Sequence, residues 1–297
     1  MYPASFSYSA PSSLDDALAL LAEHGDDAKL LAGGHSLLPM MKLRFVQPAH
    51  LVDLRRVAGL SGIVRSADAL TIGAMTTHSA VASSADVRAA MPMLTDAAEQ
   101  IGDPQVRNRG TIGGSIAHAD PAADLPAVML AADAQMTLVG RRGSRVLPAN
   151  QFFVGMLQSA LAADEVLTQI RLPLSASPFD VAQGRRVGSA YAKWRHPASR
   201  YALIGIAAVI GVGADGIVEL ARIGVTGMGP KAIRASAAEK LLVGNAPSDA
   251  NLRKAAAAVS AAVNPQADLQ GDVAYKRHLA AVYTERALSA AVRRATL

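Results

Sequence analysis

Short apolar runs separated by glycine, proline and small polar residues fill roughly the first 175 positions, and their spacing predicts mixed helices and strands. Ser12-Ser13 precedes two aspartates, which is typical of a helix start, and Gly25 is placed to end that helix. The stretch SAVASSADVRAAMPMLTDAAEQI predicts two helices broken at Pro92, because proline cannot continue a helix interior. The predicted strands of this part are AKLLAGG, PAHLVDLR, ALTIGAMTT, the hairpin QMTLVGRRGSRVLP and the closing strand EVLTQIRLPL.

The remainder of the chain has a different order of patterns. Residues 176–188 are rich in small and turn-forming residues, which predicts a linker. Apolar segments then predict three or four strands, with a hairpin turn at residues 214–216, and three helical stretches follow. Strands followed by helices are typical of an α+β domain. We therefore predict two units, residues 1–175 and 189–297, joined by the linker.

The composition indicates a folded globular protein and argues against a nucleic-acid-binding or membrane-spanning one. Of the 297 residues, 51% are hydrophobic, which suffices for packed cores and argues against disorder. The formal net charge of +5 is spread over separate arginine pairs and only 4% of residues are aromatic, so no nucleic-acid surface is expected. The longest apolar stretch, residues 201–214, is shorter than the roughly 20 residues of a membrane-spanning helix. The N-terminal residues lack the pattern of a signal peptide, so we expect a cytoplasmic protein without a membrane span.

Cysteine is absent from the chain. Disulfides, zinc–thiolate sites, thiol nucleophiles and iron–sulfur clusters ligated by this chain are therefore excluded. If the protein exchanges electrons with an iron–sulfur cluster, another chain must bind that cluster.

Two glycine pairs carry the main chemical signal. One lies in AGGHS at residues 32–36 and the other in TIGGS at residues 111–115. Glycine permits positive φ and close approach of a ligand, so each segment could offer consecutive backbone N–H groups to a phosphate. Neither segment fits the G-x-G-x-x-G fingerprint or the P-loop. Either pair alone could be a simple turn, but two such segments indicate a ligand with two phosphates held between two lobes.

The flanks KLLAGGHSLLPMMKLR and DPQVRNRGTIGGSIAHADPAADLP resemble the flavin-binding segments of the medium subunit of molybdenum hydroxylases, the carbon monoxide dehydrogenase and xanthine dehydrogenase family. The resemblance covers the whole chain and includes AYAKWRHPASRYALIGIAAVI and DVAYKRHLAAVYTERAL. It implies an α+β fold, with a two-lobed vanillyl-alcohol-oxidase/PCMH-type FAD-binding domain at residues 1–175 followed by a small α+β C-terminal domain at residues 189–297. The two lobes would comprise about residues 1–57 and 58–175.

The resemblance also assigns FAD-binding roles to individual residues, and it assigns no catalytic or metal-binding residue. The two glycine segments would hold the pyrophosphate, and Asp124 would bind hydroxyls of the ribityl chain or ribose. Ser115 stands where many relatives have asparagine, and its side chain reaches less far. Lys193 would stabilise negative charge on reduced flavin. The predicted cofactor-binding residues are Ala32, Gly33, Gly34, His35, Ser36, Ile101, Thr111, Ile112, Gly113, Gly114, Ser115, Asp124, Leu167, Tyr191 and Lys193.

Several of these residues have an ordinary structural alternative. Asp124 could cap the helix that begins near Leu125. Ile101 and Leu167 could be core residues, and Lys193 could lie on the surface.

Charged residues around the second glycine segment leave two further alternatives. Arg107 and Arg109 could lie near a phosphate or could be surface arginines. His118, Asp120 and Asp124 could ligate a metal in a mononuclear hydrolase, although the glycine segment already accounts for this block.

The function implied by the resemblance is that of an oxidoreductase subunit that carries FAD and relays electrons. Its partners would be an iron–sulfur small subunit with [2Fe-2S] clusters and a large subunit with the molybdenum cofactor, assembled as a dimer of heterotrimers. Carbon monoxide, a purine, an N-heteroaromatic compound or an aldehyde remain open as substrates, and the electron acceptor is open too. The alternatives are a stand-alone FAD-dependent oxidase of the same fold and a scaffold that has lost FAD.

Overall fold

The computed structural model describes residues 2–174, 179–180 and 185–296. Its first part is a three-stranded parallel sheet of strand order β1-β3-β2. The strands are β1 (Ser7–Ser9), β2 (Ala28–Leu31) and β3 (His50–Asp53), and the helices are α1 (Leu14–His24) and α2 (Leu37–Lys42). The predicted start and end of α1 are confirmed, because the Ser13 side chain caps the first turn and Gly25 follows the last.

The second part is a five-stranded antiparallel sheet covered by short helices. In chain order its elements are β4 (Ile63–Arg65), β5 (Ala69–Gly73), α3 (His78–Ser83), α4 (Ala85–Ala90), α5 (Pro92–Glu99), α6 (Pro104–Arg109), α7 (Ile112–His118), α8 (Leu125–Ala131), β6 (Gln135–Gly140), β7 (Gly143–Pro148), α9 (Ala149–Phe152), β8 (Phe153–Gly155), β9 (Gln158–Ser159) and β10 (Glu165–Pro173). The order of strands in the sheet is β4-β5-β10-β6-β7, and β8 pairs with β9 in a separate hairpin.

The prediction of two helices around Pro92 is wrong in number, since this stretch forms three. The helical stretch is interrupted before Pro92 and also at Ser84. The Ser84 hydroxyl accepts a hydrogen bond from the Val87 N–H and so caps the start of α4. Serine competes with the helix for backbone groups and therefore favours helix starts.

The third part is a five-stranded antiparallel sheet followed by helices. Its elements are β11 (Phe179–Asp180), β12 (Arg185–Arg195), β13 (Ala202–Val212), β14 (Val218–Thr226), β15 (Ile233–Arg234), α10 (Ser236–Leu242), α11 (Asp249–Ala262) and α12 (Val273–Thr296). The predicted linker differs from this arrangement, because its residues 179–180 and 185–188 lie in paired strands. Its other residues, 176–178 and 181–184, are outside the described ranges.

The α+β fold class is confirmed, with strands preceding helices in the third part. The exact domain bounds stay a prediction. Among the described residues, no helix combines the length and the apolar character needed to cross a membrane.

The second and third parts share one hydrophobic core, and the third part has a further core of its own. The shared core contains Leu70 and Met129 from the second part together with Val187 and Ala207 from the third. The third sheet therefore packs on α5 and α8 of the second part.

Candidate functional site

A cavity of about 580 Å³ lies between the first and second parts, within the size range of cofactor pockets. Both glycine segments line it, and Ile101, Asp124 and Leu167 complete its wall among the predicted residues. The structure thus brings together positions that are far apart in the sequence. Of the predicted set, Ile112, Tyr191 and Lys193 do not line the cavity.

The first glycine segment forms the turn between β2 and α2. Gly34 has a φ of 77°, in the left-handed region that favours glycine. Across the described residues, the backbone N–H groups of residues 33–37 have no protein acceptor, and all five residues line the cavity. Consecutive unpaired amides of this kind form a site for an anion.

Gly33 has a separate, structural reason to be glycine. A Cβ atom at this position would lie 2.4 Å from the carbonyl oxygen of Arg109 and 2.6 Å from the Cα atom of Gly110. The first glycine segment therefore packs directly on the backbone that leads into the second.

The second glycine segment differs from the expectation of free amides. Thr111 caps α7, so the two glycines lie in the first turn of a helix. The N–H groups of residues 112–115 donate in turn to the Thr76 carbonyl, the Ala74 carbonyl, the Thr111 hydroxyl and the Thr111 carbonyl. The prediction that this segment offers unpaired amides is wrong, because helix capping and contacts with residues 74–76 already use them.

Close packing explains Gly113 as well. A Cβ atom there would lie 2.4 Å from the Cβ atom of Ala74. At Gly114, a Cβ atom would approach the Thr111 hydroxyl to 2.8 Å and the Ala32 Cβ atom to 3.3 Å. These glycines bring the helix start, and the cavity wall that it forms, close to the first glycine segment.

Asp124 is the buried carboxylate of the cavity. It begins α8 without making a capping hydrogen bond from its side chain, so the capping alternative is wrong. Its two oxygens accept hydrogen bonds from the Tyr191 hydroxyl at 2.6 Å and from the Lys193 ammonium at 2.9 Å. Burial raises the pKa of Asp124, and its contacts with Lys193 and Tyr191 oppose that rise.

Lys193 is a buried residue, and the surface alternative is wrong. Its side chain has no exposed area, and its ammonium group also donates to the Gln100 carbonyl at 3.2 Å. Burial and the neighbouring carboxylate raise the pKa of Tyr191 well above its usual value, so its hydroxyl remains a donor to Asp124. Tyr191 and Lys193 therefore do not line the cavity themselves but contact Asp124, which does.

Ile101 and Leu167 serve both as core and as cavity wall. Leu167 is buried and lies at a bulge where the register of β10 with β6 shifts. Ile101 is partly buried against the same core. Their apolar side chains can contact the ring system of a ligand while they pack on the protein interior.

The charged residues before α7 face different surroundings. The Arg107 guanidinium donates a hydrogen bond to the carbonyl oxygen of Ile101 at 3.0 Å, so it contacts the backbone of a residue in the cavity wall. Arg109 contributes its backbone to the contact with Gly33. Within the described ranges, no group of three or more acidic or histidine residues could hold a metal ion, so the metal alternative has no support.

Sequence reasoning missed His78 and Tyr201, which line the cavity. His78 is 5% exposed, and burial, with smaller contributions from His35 and Arg107, lowers its pKa to about 4. Burial and Asp120 raise the pKa of Tyr201, which remains 43% exposed at the cavity. His78 follows a helix-capping threonine and Tyr201 follows a turn, and neither pattern marks a binding residue.

Comparison with known proteins identifies two family matches along the chain. Residues 4–175 match the model described as the FAD binding domain in molybdopterin dehydrogenase, and residues 189–291 match the CO dehydrogenase flavoprotein C-terminal domain. These matches confirm the family resemblance of the sequence.

Individual relatives are similar over nearly their whole length. The carbon monoxide dehydrogenase medium chain of Hydrogenophaga pseudoflava is 44% identical, with 98% of each chain covered. The 6-hydroxypseudooxynicotine dehydrogenase complex subunit alpha of Paenarthrobacter nicotinovorans is 37% identical, with 99% of this chain and 97% of the relative covered. A solved carbon monoxide dehydrogenase structure from H. pseudoflava superposes with a TM-score of 0.93 at 45% identity, covering 99% of this chain and 100% of that chain.

Proposed function

Since the chain belongs to the family of FAD-binding medium subunits of molybdopterin dehydrogenases, we propose that it relays electrons from an iron–sulfur partner subunit to an external acceptor. The observation that carries this proposal is one cavity lined both by five consecutive amides without an acceptor among the described residues and by a buried carboxylate. Amides suit the pyrophosphate of FAD, and a carboxylate suits its hydroxyl groups.

The residues of the cavity fit FAD in three places. Residues 33–37 would hold the pyrophosphate through their N–H groups. Asp124 keeps acceptor capacity for a ribityl or ribose hydroxyl, since each carboxylate oxygen accepts more than one hydrogen bond. Ile101 and Leu167 would contact the rings with apolar surface and exclude water from them.

When bound, FAD supplies the capacity to exchange electrons one at a time with a cluster. The chain orients the cofactor and sets the charge around it, and the Lys193 ammonium placed behind Asp124 offsets the negative charge of that carboxylate. The clusters must lie on another chain, because this one has no cysteine. We propose an iron–sulfur small subunit and a molybdenum large subunit as partners, in a dimer of heterotrimers.

The test is anaerobic reduction of the flavin in the purified chain, with and without the subunits that co-purify with it. The chain should release FAD, and not FMN, on denaturation. We expect carbon monoxide, a purine, an N-heteroaromatic compound or an aldehyde to reduce the flavin only in the complex. Reduction of the isolated chain at the rate of the complex would contradict the relay and support a stand-alone oxidase. A chain that contains no flavin and cannot be reconstituted would contradict both.

A further inference from the structure

The cavity wall between α7 and α8 is held by the third sheet. This wall turn, residues 120–124, contributes Asp120, Ala123 and Asp124 to the cavity. The carbonyl oxygen of residue 121 accepts hydrogen bonds from the Gly227 N–H and from the Thr226 hydroxyl, both at 2.7 Å. The carbonyl of residue 122 accepts from the Ala202 N–H at 3.1 Å. The backbone of the turn is therefore fixed by the sheet.

Thr226 makes the most specific of these contacts. Its hydroxyl lies 2.7 Å from the carbonyl of residue 121 and 2.8 Å from that of residue 123. A hydroxyl has one hydrogen to donate, so it is shared between the two carbonyls. Thr226 is only 1% exposed, which leaves little room for water to replace the hydroxyl.

Thr226 and Tyr191 contact the same turn from β14 and β12, the two strands that flank β13 in the sheet. Both pack over Gly205 of β13, where a Cβ atom would lie 2.0 Å from the Tyr191 hydroxyl and 2.8 Å from the Thr226 methyl group. Tyr191 holds the carboxylate of Asp124 while Thr226 holds the backbone just before it. Together with Lys193, these two residues contact the Asp124 carboxylate and the backbone just before it.

We propose that Thr226 is a positioning residue for the flavin nucleotide: it holds the wall turn so that Asp124 meets the hydroxyl groups of the cofactor. This inference rests on the proposed function and extends it to the third sheet. Without the hydroxyl, the carbonyl of residue 123 loses its partner. A buried carbonyl without a partner is costly, so the turn moves to find another.

The experiment compares variants of the full-length chain, stripped of flavin and titrated with FAD. We expect Thr226→Val to weaken FAD binding about tenfold, the size of one lost hydrogen bond, and to alter the visible circular dichroism of the bound flavin. Thr226→Ser keeps the hydroxyl and should restore both. The matched control is Thr284→Val, since Thr284 is fully buried in the same unit and its hydroxyl has no partner among the described residues.

The outcomes separate this inference from the proposed function. If the native chain binds no FAD, both are overturned. If the native chain binds FAD and Thr226→Val binds it with native affinity and dichroism, only the inference is overturned. Equal loss of affinity in Thr226→Val and Thr284→Val would also overturn it, because the effect would then come from general loosening. Thr226→Ala, which adds no bulk, serves the same comparison if the valine variant does not fold.

Discussion

His78 shows how a single side chain in the cavity wall couples protonation to folding. Its imidazole packs against Gly110, where a Cβ atom would lie 2.8 Å from the ring. Electrostatic interactions with His35 and Arg107 lower the pKa of His78 in the same direction as burial, so both effects disfavour the protonated ring. The native chain therefore holds this histidine neutral at pH values where a free histidine is charged.

This state predicts a pH-dependent stability. The pKa of His78 falls from the usual 6.5 to about 4 on folding, so between these values the unfolded chain binds more protons than the native chain. The free energy of unfolding should therefore rise with pH over this interval, and the contribution of His78, about 3 kcal/mol, should be lost as the pH falls from 6.5 to 4. We expect His78→Gln to remove this part of the pH dependence, measured by urea unfolding.

The control for this prediction is His278→Gln. His278 is an exposed residue of α12 and does not line the cavity. The slope of stability against pH in His278→Gln is the reference with which the slope in His78→Gln is compared. A His78→Gln variant with the native slope would show that this imidazole does not titrate as described.

The turn between β2 and α2 is the element on which cofactor binding depends most directly. Among the described residues, the N–H groups of residues 33–37 have no protein acceptor, and Gly34 within this turn has a left-handed conformation. The second glycine segment belongs to a different kind of element, the start of a helix. Two similar sequence patterns thus differ in structure: the first leaves its amides without an acceptor among the described residues, and the second allows close packing.

Gly34→Val should abolish FAD binding. A β-branched residue resists a φ of 77°, so the turn must change conformation and its amides lose their alignment. Gly59→Val is the matched control, since Gly59 has a φ of 79°, open space around it and no place in the cavity wall. Both variants should lose stability through backbone strain, but only Gly34→Val should lose FAD in an equilibrium titration. Native affinity in both would mean that the first glycine segment is only a turn.

At the scale of the whole molecule, the second and third parts pack against each other and share a hydrophobic core. Arg294 of the last helix pairs with Asp96 of α5 at 2.6 Å. Gly224 of the third sheet approaches α8 so closely that a Cβ atom would lie 2.0 Å from the Ala127 carbonyl. The third sheet also forms hydrogen bonds with the wall turn. Ligand binding in the cavity should therefore stabilise both parts against unfolding.

FAD should therefore stabilise the chain as a single unit. At a free FAD concentration of about a hundred times its dissociation constant, we expect the free energy of unfolding to rise by about 2.7 kcal/mol. Calorimetry should show one transition that moves to higher temperature. Two separate transitions, of which only one responds to FAD, would contradict coupling between the cavity and the third sheet.

The sequence by itself determined the family, the α+β class and most elements. These features depend on local patterns: serine starts α1, glycine ends it, and apolar runs form strands where they were predicted. The glycine segments and their flanks indicated the cofactor class, and the absence of cysteine placed any cluster on another chain. Such information is carried by residue type and spacing, which are visible in a sequence.

The tertiary structure alone decided which groups are available in the cavity. Whether an amide is free depends on its partners, and the amides of residues 112–115 find theirs in residues 74–76 and Thr111. Burial is likewise a property of the assembled fold. Only the structure shows that Lys193 is buried and paired with Asp124 and does not lie on the surface. Thr226 lies more than a hundred residues from the turn it holds. Long-range packing brings these groups together, and no local pattern records it.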